Sequence, residues 1–202
     1  LTKLGETDVV LLEQGQLSCG TTWHAAGLVG QLRASESGTR LVQYSTQLYA
    51  ELEAETGLSA GYKQCGGVTV ARTEDRMIQL RRTAANAAAY NLDCELLSPQ
   101  EAFDHYPVMR IDDLVGGIWL PADGRANPTD LTMALAKGAR QRGAQIVERV
   151  RVLDIRTVDG RVTGVVTDAG DLDAQIVVNC AGQWAKAVGS FAGVNVPLYS
   201  CL

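Results

Sequence analysis

Residues 19–30 read Cys-Gly-Thr-Thr-Trp-His-Ala-Ala-Gly-Leu-Val-Gly, a single histidine set among small residues one step after Trp23. Small residues let a flat ligand lie against the backbone, and the hydroxyls of Thr21 and Thr22 can reach phosphate or ring oxygens. A lone histidine here fits a hydrogen-bonded structural role as readily as a ligand contact, so the residues alone leave both readings open. Upstream, Asp8-Val9-Val10-Leu11-Leu12-Glu13 closes four apolar residues with an acid. Such a run predicts a strand buried on both faces, the habit of parallel sheets. An acid at the carboxyl end of that strand is what a dinucleotide fold uses on ribose, because a carboxylate accepts hydrogen bonds from both hydroxyls. Glu13 also reads as an ordinary strand end.

A sheet must position these residues, and the sequence supplies candidates for it. Residues 174–182 form another apolar run, predicting a strand over 176–179 that enters a small-residue turn at Ala181-Gly182 and a helix from about Trp184. Such a turn permits close backbone approach to a ligand. Residues 143–152 and 161–167 alternate apolar and polar side chains, and Asp159-Gly160 between them is a hairpin signal. A helix over 129–142 precedes them, opened by Pro128 and stopped by Gly143. The resulting order of strand, helix, strand, meander and strand is an α/β arrangement, a dinucleotide-type layer over residues 1–30 and 128–202.

The middle reads differently. An amphipathic helix over 35–57 places Leu41, Tyr44, Leu48 and Leu52 on one stripe and ends at Gly57. A strand over 66–71, an alanine-rich helix over 74–91, a short helix over 98–106 capped by Ser98 with Glu101, and a strand over 114–120 follow. Residues 31–127 therefore predict a second, α+β lobe inserted between two pieces of one sheet.

Composition excludes several classes of function. The 202 residues are 46% hydrophobic and 20% charged, values of a folded domain rather than a disordered chain. Eighteen Lys and Arg against 23 Asp and Glu give a net charge of −5, with no cation excess for nucleic-acid phosphates. No apolar run approaches the roughly 18 residues of a membrane span. Five scattered cysteines, Cys19, Cys65, Cys94, Cys180 and Cys201, never show CxxC spacing, so they read as core fillers in a reducing compartment. Two histidines, His24 and His105, leave almost no histidine-based metal site. The start at Leu1 and the end just past Pro197 suggest a piece cut at both ends. Only twelve residues precede Glu13, so a GxGxxG turn about 20 residues upstream of the acid would fall before Leu1.

The string Gly20-Thr-Thr-Trp-His24-Ala-Ala-Gly-Leu28 resembles the flavin-attachment segment of the sarcosine and dimethylglycine dehydrogenase family, FAD-dependent flavoproteins akin to D-amino-acid oxidase. Gln31-Leu-Arg33, Glu51-Leu-Glu-Ala-Glu-Thr-Gly57, Gly66-Gly67, Leu97-Ser-Pro99, Tyr106-Pro107, Asp112-Asp113-Leu114 and Val178-Asn-Cys-Ala-Gly-Gln-Trp184 match in the same order. The resemblance spans essentially the whole chain and leans towards the sarcosine branch. It implies an α/β fold with a Rossmann-like FAD-binding layer, interrupted by an α+β substrate lobe: an incomplete flavoprotein of the glutathione-reductase-2 type. The first strand and glycine turn of that layer would be missing.

Carried over residue by residue, the resemblance assigns Glu13 to the adenosine ribose, with Gln14 beside it. Gly20, Thr21, Thr22, Trp23, Ala25, Ala26, Gly27 and Leu28 would line the pyrophosphate and isoalloxazine, and His24 would be the covalent anchor of the FAD ring methyl. Val152 matches a position whose backbone meets the adenine, while Ala181, Gly182 and Trp184 match the turn that closes over the cofactor. No residue matches a catalytic acid, base or substrate clamp, and no metal is implied. The implied reaction is oxidative N-demethylation of a small N-methyl amino acid, leaving an iminium that water converts to formaldehyde and the demethylated amine. Electrons would pass to electron-transferring flavoprotein, and tetrahydrofolate would bind only in a C-terminal region beyond residue 202. The compartment would be the cytoplasm in a bacterium and the mitochondrial matrix in a eukaryote. Two alternatives stand beside this reading, and His24 within an intact Trp-His-Ala-Ala-Gly argues against the first. One is a non-catalytic relative resembling the pyruvate dehydrogenase phosphatase regulatory subunit, which lacks the attachment histidine; the other is an oxygen-using amine oxidase of the same fold.

Overall fold

The computed structural model describes residues 1–199; Cys201 lies outside them. The chain forms two compact units, one from Leu1–His24 together with the chain from Ala136 onward, the other from Ala25–Leu135. In chain order the elements are β1 (Val10–Glu13), β2 (Leu28–Val29), α1 (Glu36–Thr56), β3 (Lys63–Gln64), β4 (Gly67–Ala71) and α2 (Glu74–Ala89). Then come β5 (Glu95–Leu97), α3 (Pro99–His105), β6 (Gly116–Leu120), β7 (Gly124–Arg125) and α4 (Pro128–Gln141). Finally β8 (Gln145–Glu148), β9 (Val152–Val158), β10 (Arg161–Thr167), β11 (Leu172–Asp173) and α5 (Ala185–Phe191) complete the fold. Single 3-10 turns occupy Thr2–Leu4, Thr21–His24 and Gly182–Trp184.

In the first unit, β1 pairs in parallel with β8, from Val10 opposite Gln145 to Glu13 opposite Glu148. The expected turn at Asp159-Gly160 forms, with both residues at positive φ (50° and 75°). That geometry is the mirror-image turn whose twist matches paired strands. The antiparallel pair it joins, however, is β9–β10; of the run at 143–152 expected as the first arm, Gln145–Glu148 is β8 beside β1. β11 adds a third strand to β10, and α5 packs on β9, burying Ile155, Val165 and Ala185. The expected strand over 176–179 does not form. Ile176 is 81% and Val178 60% exposed, and the segment has no ladder partner among the described residues. An apolar run becomes a strand only where a neighbour takes its backbone N–H and C=O groups, which periodicity does not reveal.

The second unit has two small sheets, β4–β6–β5 and β2–β7–β3, both antiparallel. Helix α1 begins where Ser35 Oγ accepts from Gly38 N–H at 3.2 Å, and ends where Gly57 N–H donates to Glu53 O at 2.8 Å. Its buried face is not the expected stripe: Leu41 is 66% and Tyr44 56% exposed, while Thr39, Thr46, Leu52 and Thr56 are buried. Three threonines can face inward because their hydroxyls donate to helix carbonyls: Thr39 to Ser35 O at 3.0 Å, Thr46 to Gln43 O at 2.9 Å and Thr56 to Leu52 O at 2.7 Å. A buried hydroxyl with a partner costs little. Leu52 packs with Ala60 and Ala134, joined by Leu48 and Leu131.

Helix α2 is capped by Thr73 Oγ1, which accepts from Arg76 N–H at 3.2 Å. It buries Met77 and Leu80 against Ala71, Ile118 and Leu120 of the larger sheet. α3 starts at the expected capping box: Ser98 N–H donates to Glu101 Oε2 at 2.7 Å, and Glu101 N–H returns to Ser98 Oγ at 3.3 Å. The Ser98 N–H and the Ser98 hydroxyl, which also donates to Glu101 Oε2 at 2.7 Å, hold the Glu101 carboxyl below its ordinary range. The cysteines depart from the expected core role. Cys19, Cys65 and Cys180 are free and exposed, and Cys94 is half-buried, because the three exposed ones sit on connecting segments rather than on buried faces.

Gly66, at φ 72°, precedes β4 under the indole of Trp119, which stacks on His105 with ring centroids 4.1 Å apart. A Cβ at Gly66 would overlap the Trp119 ring, and the left-handed conformation adds strain for any other residue. Gly66→Ala is therefore expected to cost about 2 kcal/mol, read as a lower midpoint in thermal or urea unfolding. Part of that loss returns in Gly66→Ala combined with Trp119→Leu, since the clash term is shared.

Candidate functional site

Both strands of the parallel pair end in a glutamate, and both glutamates hold the loop that follows β1. Glu13 Oε1 accepts from Gly15 N–H at 2.8 Å, and Glu148 Oε1 accepts from Leu17 N–H at 2.6 Å. Backbone bonds close the same loop: Arg149 N–H to Gly15 O at 2.8 Å, Val150 N–H to Glu13 O at 3.0 Å and Cys19 N–H to Gln16 O at 3.0 Å. Gln16 N–H reaches Cys19 Sγ at 3.3 Å. Glu13 Oε2 takes no hydrogen bond among the described residues. A half-buried carboxylate with one oxygen tied and one free, at the carboxyl end of a parallel strand, can accept two hydroxyl donors of a diol.

Glu148 was not singled out from the sequence. Its signal was present: Gln145-Ile146-Val147-Glu148, like the run before it, is an apolar pair closed by an acid. Gln14 is exposed beside Glu13.

The loop leads through Gly20 into the 3-10 turn Thr21–His24. Trp23 and His24 are both exposed, their rings 4.3 Å apart and tilted by 37°. The turn at Ala181-Gly182 lies close by: a Cβ on Gly182, at φ 55°, would stand 4.0 Å from Thr21 Oγ1. Asn179 holds that turn, donating from Nδ2 to Ala185 O at 2.8 Å and accepting Ala181 N–H on Oδ1 at 3.2 Å. Trp184 ends it, partly exposed. Thus Thr21 and Gly182, 161 positions apart (182 − 21), are neighbours, although the strand expected to deliver Gly182 is absent. Val152 stands at the first position of β9, opposite Thr167.

The rest of the string belongs to the second unit. Ala25 and Ala26 are exposed, Gly27 follows at φ 77°, and exposed Leu28 begins β2 opposite Arg125. Gly27 O accepts Ala126 N–H at 2.9 Å, and any Cβ on Gly27 would collide with Ala126 O. Small residues there serve backbone-to-backbone contact as well as access. Among the described residues no group of three or more His, Cys, Asp or Glu side chains could hold a metal, and no helix is long and apolar enough to cross a membrane.

Comparison with known proteins gives this geometry a family. The chain is 43% identical over 204 residues to the mitochondrial sarcosine dehydrogenase of Homo sapiens, covering 98% of this chain and 22% of that protein. It is 39% identical over 203 residues to the mitochondrial pyruvate dehydrogenase phosphatase regulatory subunit of Mus musculus, covering 100% of this chain and 23% of that one. Among solved structures it is similar to L-proline dehydrogenase from P. horikoshii, with TM-score 0.90, 26% identity, and coverage of 96% of this chain and 51% of that chain. The chain thus spans under a quarter of the two curated relatives and about half of the solved structure. Residues 1–201 match the family described as FAD dependent oxidoreductase, and the chain belongs to that family.

Proposed function

We propose that this chain is the FAD-holding portion, with part of the substrate lobe, of an oxidoreductase that N-demethylates sarcosine or dimethylglycine. Residues 1–30 and 128–202 contribute to the cofactor layer, and residues 31–127 to the lobe over the substrate. The observation that carries this reading is Glu13, a carboxylate with a free oxygen at the end of a parallel strand, followed by the exposed Trp23-His24 turn. The similarity to human sarcosine dehydrogenase over nearly the whole chain supports the substrate class.

The residues present suit an extended dinucleotide. Glu13, with Gln14, would take the ribose diol; Gly20, Thr21 and Thr22 would meet the pyrophosphate. Trp23, Ala25, Ala26, Gly27 and Leu28 would face the ring, Val152 would offer backbone to the adenine, and Ala181, Gly182 and Trp184 would close over the cofactor. His24 would supply the nitrogen that anchors the ring, which requires a neutral imidazole free to approach. FAD, when bound, supplies the two-electron oxidation of the amine; the protein's part is to bind, orient and exclude water. Electrons would go on to electron-transferring flavoprotein, in the mitochondrial matrix of a eukaryote or the cytoplasm of a bacterium.

A second reading has its own support: the 39% identity to the murine regulatory subunit extends over this entire chain. His24 is the residue on which the two readings would part, because a non-catalytic relative has no need of an anchored flavin.

Two experiments on the complete protein test these roles. After acid denaturation, flavin fluorescence is expected to stay on the polypeptide, with the modified peptide carrying His24, and to be lost from His24→Ala. Flavin that washes away from the unsubstituted protein, or a label on another residue, removes the covalent role of His24; absence of any bound flavin favours the regulatory reading. In a His24→Ala background, where no covalent bond would hold the flavin, Glu13→Ala is expected to weaken FAD retention by about 2 kcal/mol, roughly 30-fold, measured as cofactor content after dialysis. Unchanged content removes the ribose role.

A further inference from the structure

The second unit contains a cavity of about 510 Å³ that includes none of the residues assigned to the flavin. Its floor is apolar, made by Leu80 of α2 and Ile118 and Leu120 of β6, all buried. Around that floor stand Asp123, Arg33 and Arg76. Gln31 N–H donates to Asp123 Oδ1 at 2.8 Å, and Gln31 Nε2 donates to Ala122 O at 2.8 Å, so the carboxylate and its loop are fixed.

The other oxygen is not spoken for. Asp123 Oδ2 takes no hydrogen bond among the described residues, and it lies against two bare glycines: a Cβ on Gly67 would stand 2.9 Å from it, and one on Gly30 3.5 Å. Arg33 Nη1 comes within 3.6 Å of that same Gly30 position, yet it donates to Leu32 O at 3.1 Å and forms no ion pair with Asp123. Arg76 likewise spends one nitrogen on Gln79 Oε1 at 3.0 Å, leaving the rest of its fork open. Burial pushes the Asp123 carboxyl up, offset by the Gln31 N–H and by Arg33. An anion is thus held half-buried beside cations that do not neutralise it directly.

We propose that this cavity binds a small zwitterion, a free amino acid, with its ammonium on Asp123 Oδ2 and its carboxylate on the guanidinium groups of Arg33 and Arg76. Ammonium to a fixed carboxylate oxygen is a charge-assisted hydrogen bond, and a guanidinium fork matches a carboxylate in shape as well as charge. The two charges of an amino acid lie a few bonds apart, and Asp123 Oδ2 and Arg33 Nη1 lie 3.5 Å and 3.6 Å from one point beside Gly30, so a small zwitterion can reach both. The volume lies in the range of small-molecule sites. A carboxylic acid without an amine leaves Asp123 unmatched, and a simple amine leaves the arginines unmatched.

The test uses the complete protein labelled with ¹³C on isoleucine methyls, Ile118 being assigned from an Ile118→Val variant. Glycine is titrated under nitrogen, so that no oxidation accompanies binding. A saturable shift of the Ile118 methyl is expected, with half-saturation moved up by about tenfold or more in Asp123→Asn and in Arg76→Gln. Propionate alone and methylammonium alone are expected to leave Ile118 in place. Arg76 lies on the exposed side of α2, so Arg76→Gln decides the matter should Asp123→Asn fail to fold. The proposal is overturned if glycine leaves Ile118 unmoved, if half-saturation is unchanged in Arg76→Gln or in folded Asp123→Asn, or if propionate or methylammonium gives the same shift. None of these outcomes depends on whether His24 carries a flavin.

Discussion

The parallel pairing of β1 with β8 constrains everything else in the first unit. Parallel neighbours cannot be joined by a tight turn, so the strands come from segments with more than a hundred residues between them. They also end at the same edge, which brings Glu13 and Glu148 together in register. Two carboxylates side by side would repel each other if both faced empty space. Each instead accepts a backbone N–H from the loop after β1, and those bonds shape the path from Glu13 to Thr21. The acid that would bind a ribose thereby also organises the loop leading to the exposed histidine.

In the second unit the corresponding role falls to hydrogen bonds at loop segments. Asp123 takes Gln31 N–H on its side chain and Gly66 N–H on its carbonyl, tying three stretches of chain at one residue. Gly27 and Gly66 sit where any side chain would strike Ala126 O or the Trp119 ring. The strands β2, β3 and β7 are two residues long each, and such ties flank their ladder pairs. The larger sheet differs, resting on a packed apolar face shared with α2.

Membership of the FAD dependent oxidoreductase family and the mixed α/β fold are consistent with each other. What distinguishes an enzyme from a binding relative within such a family is local chemistry, not architecture. On the function proposed above, that chemistry would rest on His24, exposed on a short 3-10 turn, and on whether it is joined to the ring methyl of FAD. The identities to a dehydrogenase and to a regulatory subunit, 43% and 39%, are close, so sequence similarity alone gives no preference.

Local features were legible in the sequence because their physics is local. Ser35 and Gly57 bound α1, Ser98 with Glu101 opens α3, Asp159-Gly160 turns the hairpin, and the acid after an apolar run marks the end of β1. Each depends on contacts within a few residues, which spacing encodes. Features that depend on a distant partner were not legible. The run at 176–179 has strand composition but no ladder neighbour; the buried face of α1 follows three threonines whose hydroxyls bond within the helix; and Glu148 matters only because β8 lies beside β1. Tertiary structure alone decided the approach of Gly182 to Thr21 and the isolation of Asp123 Oδ2 between two glycines. A side chain's partner is set by the packing of the whole unit, and residue order does not contain that distance.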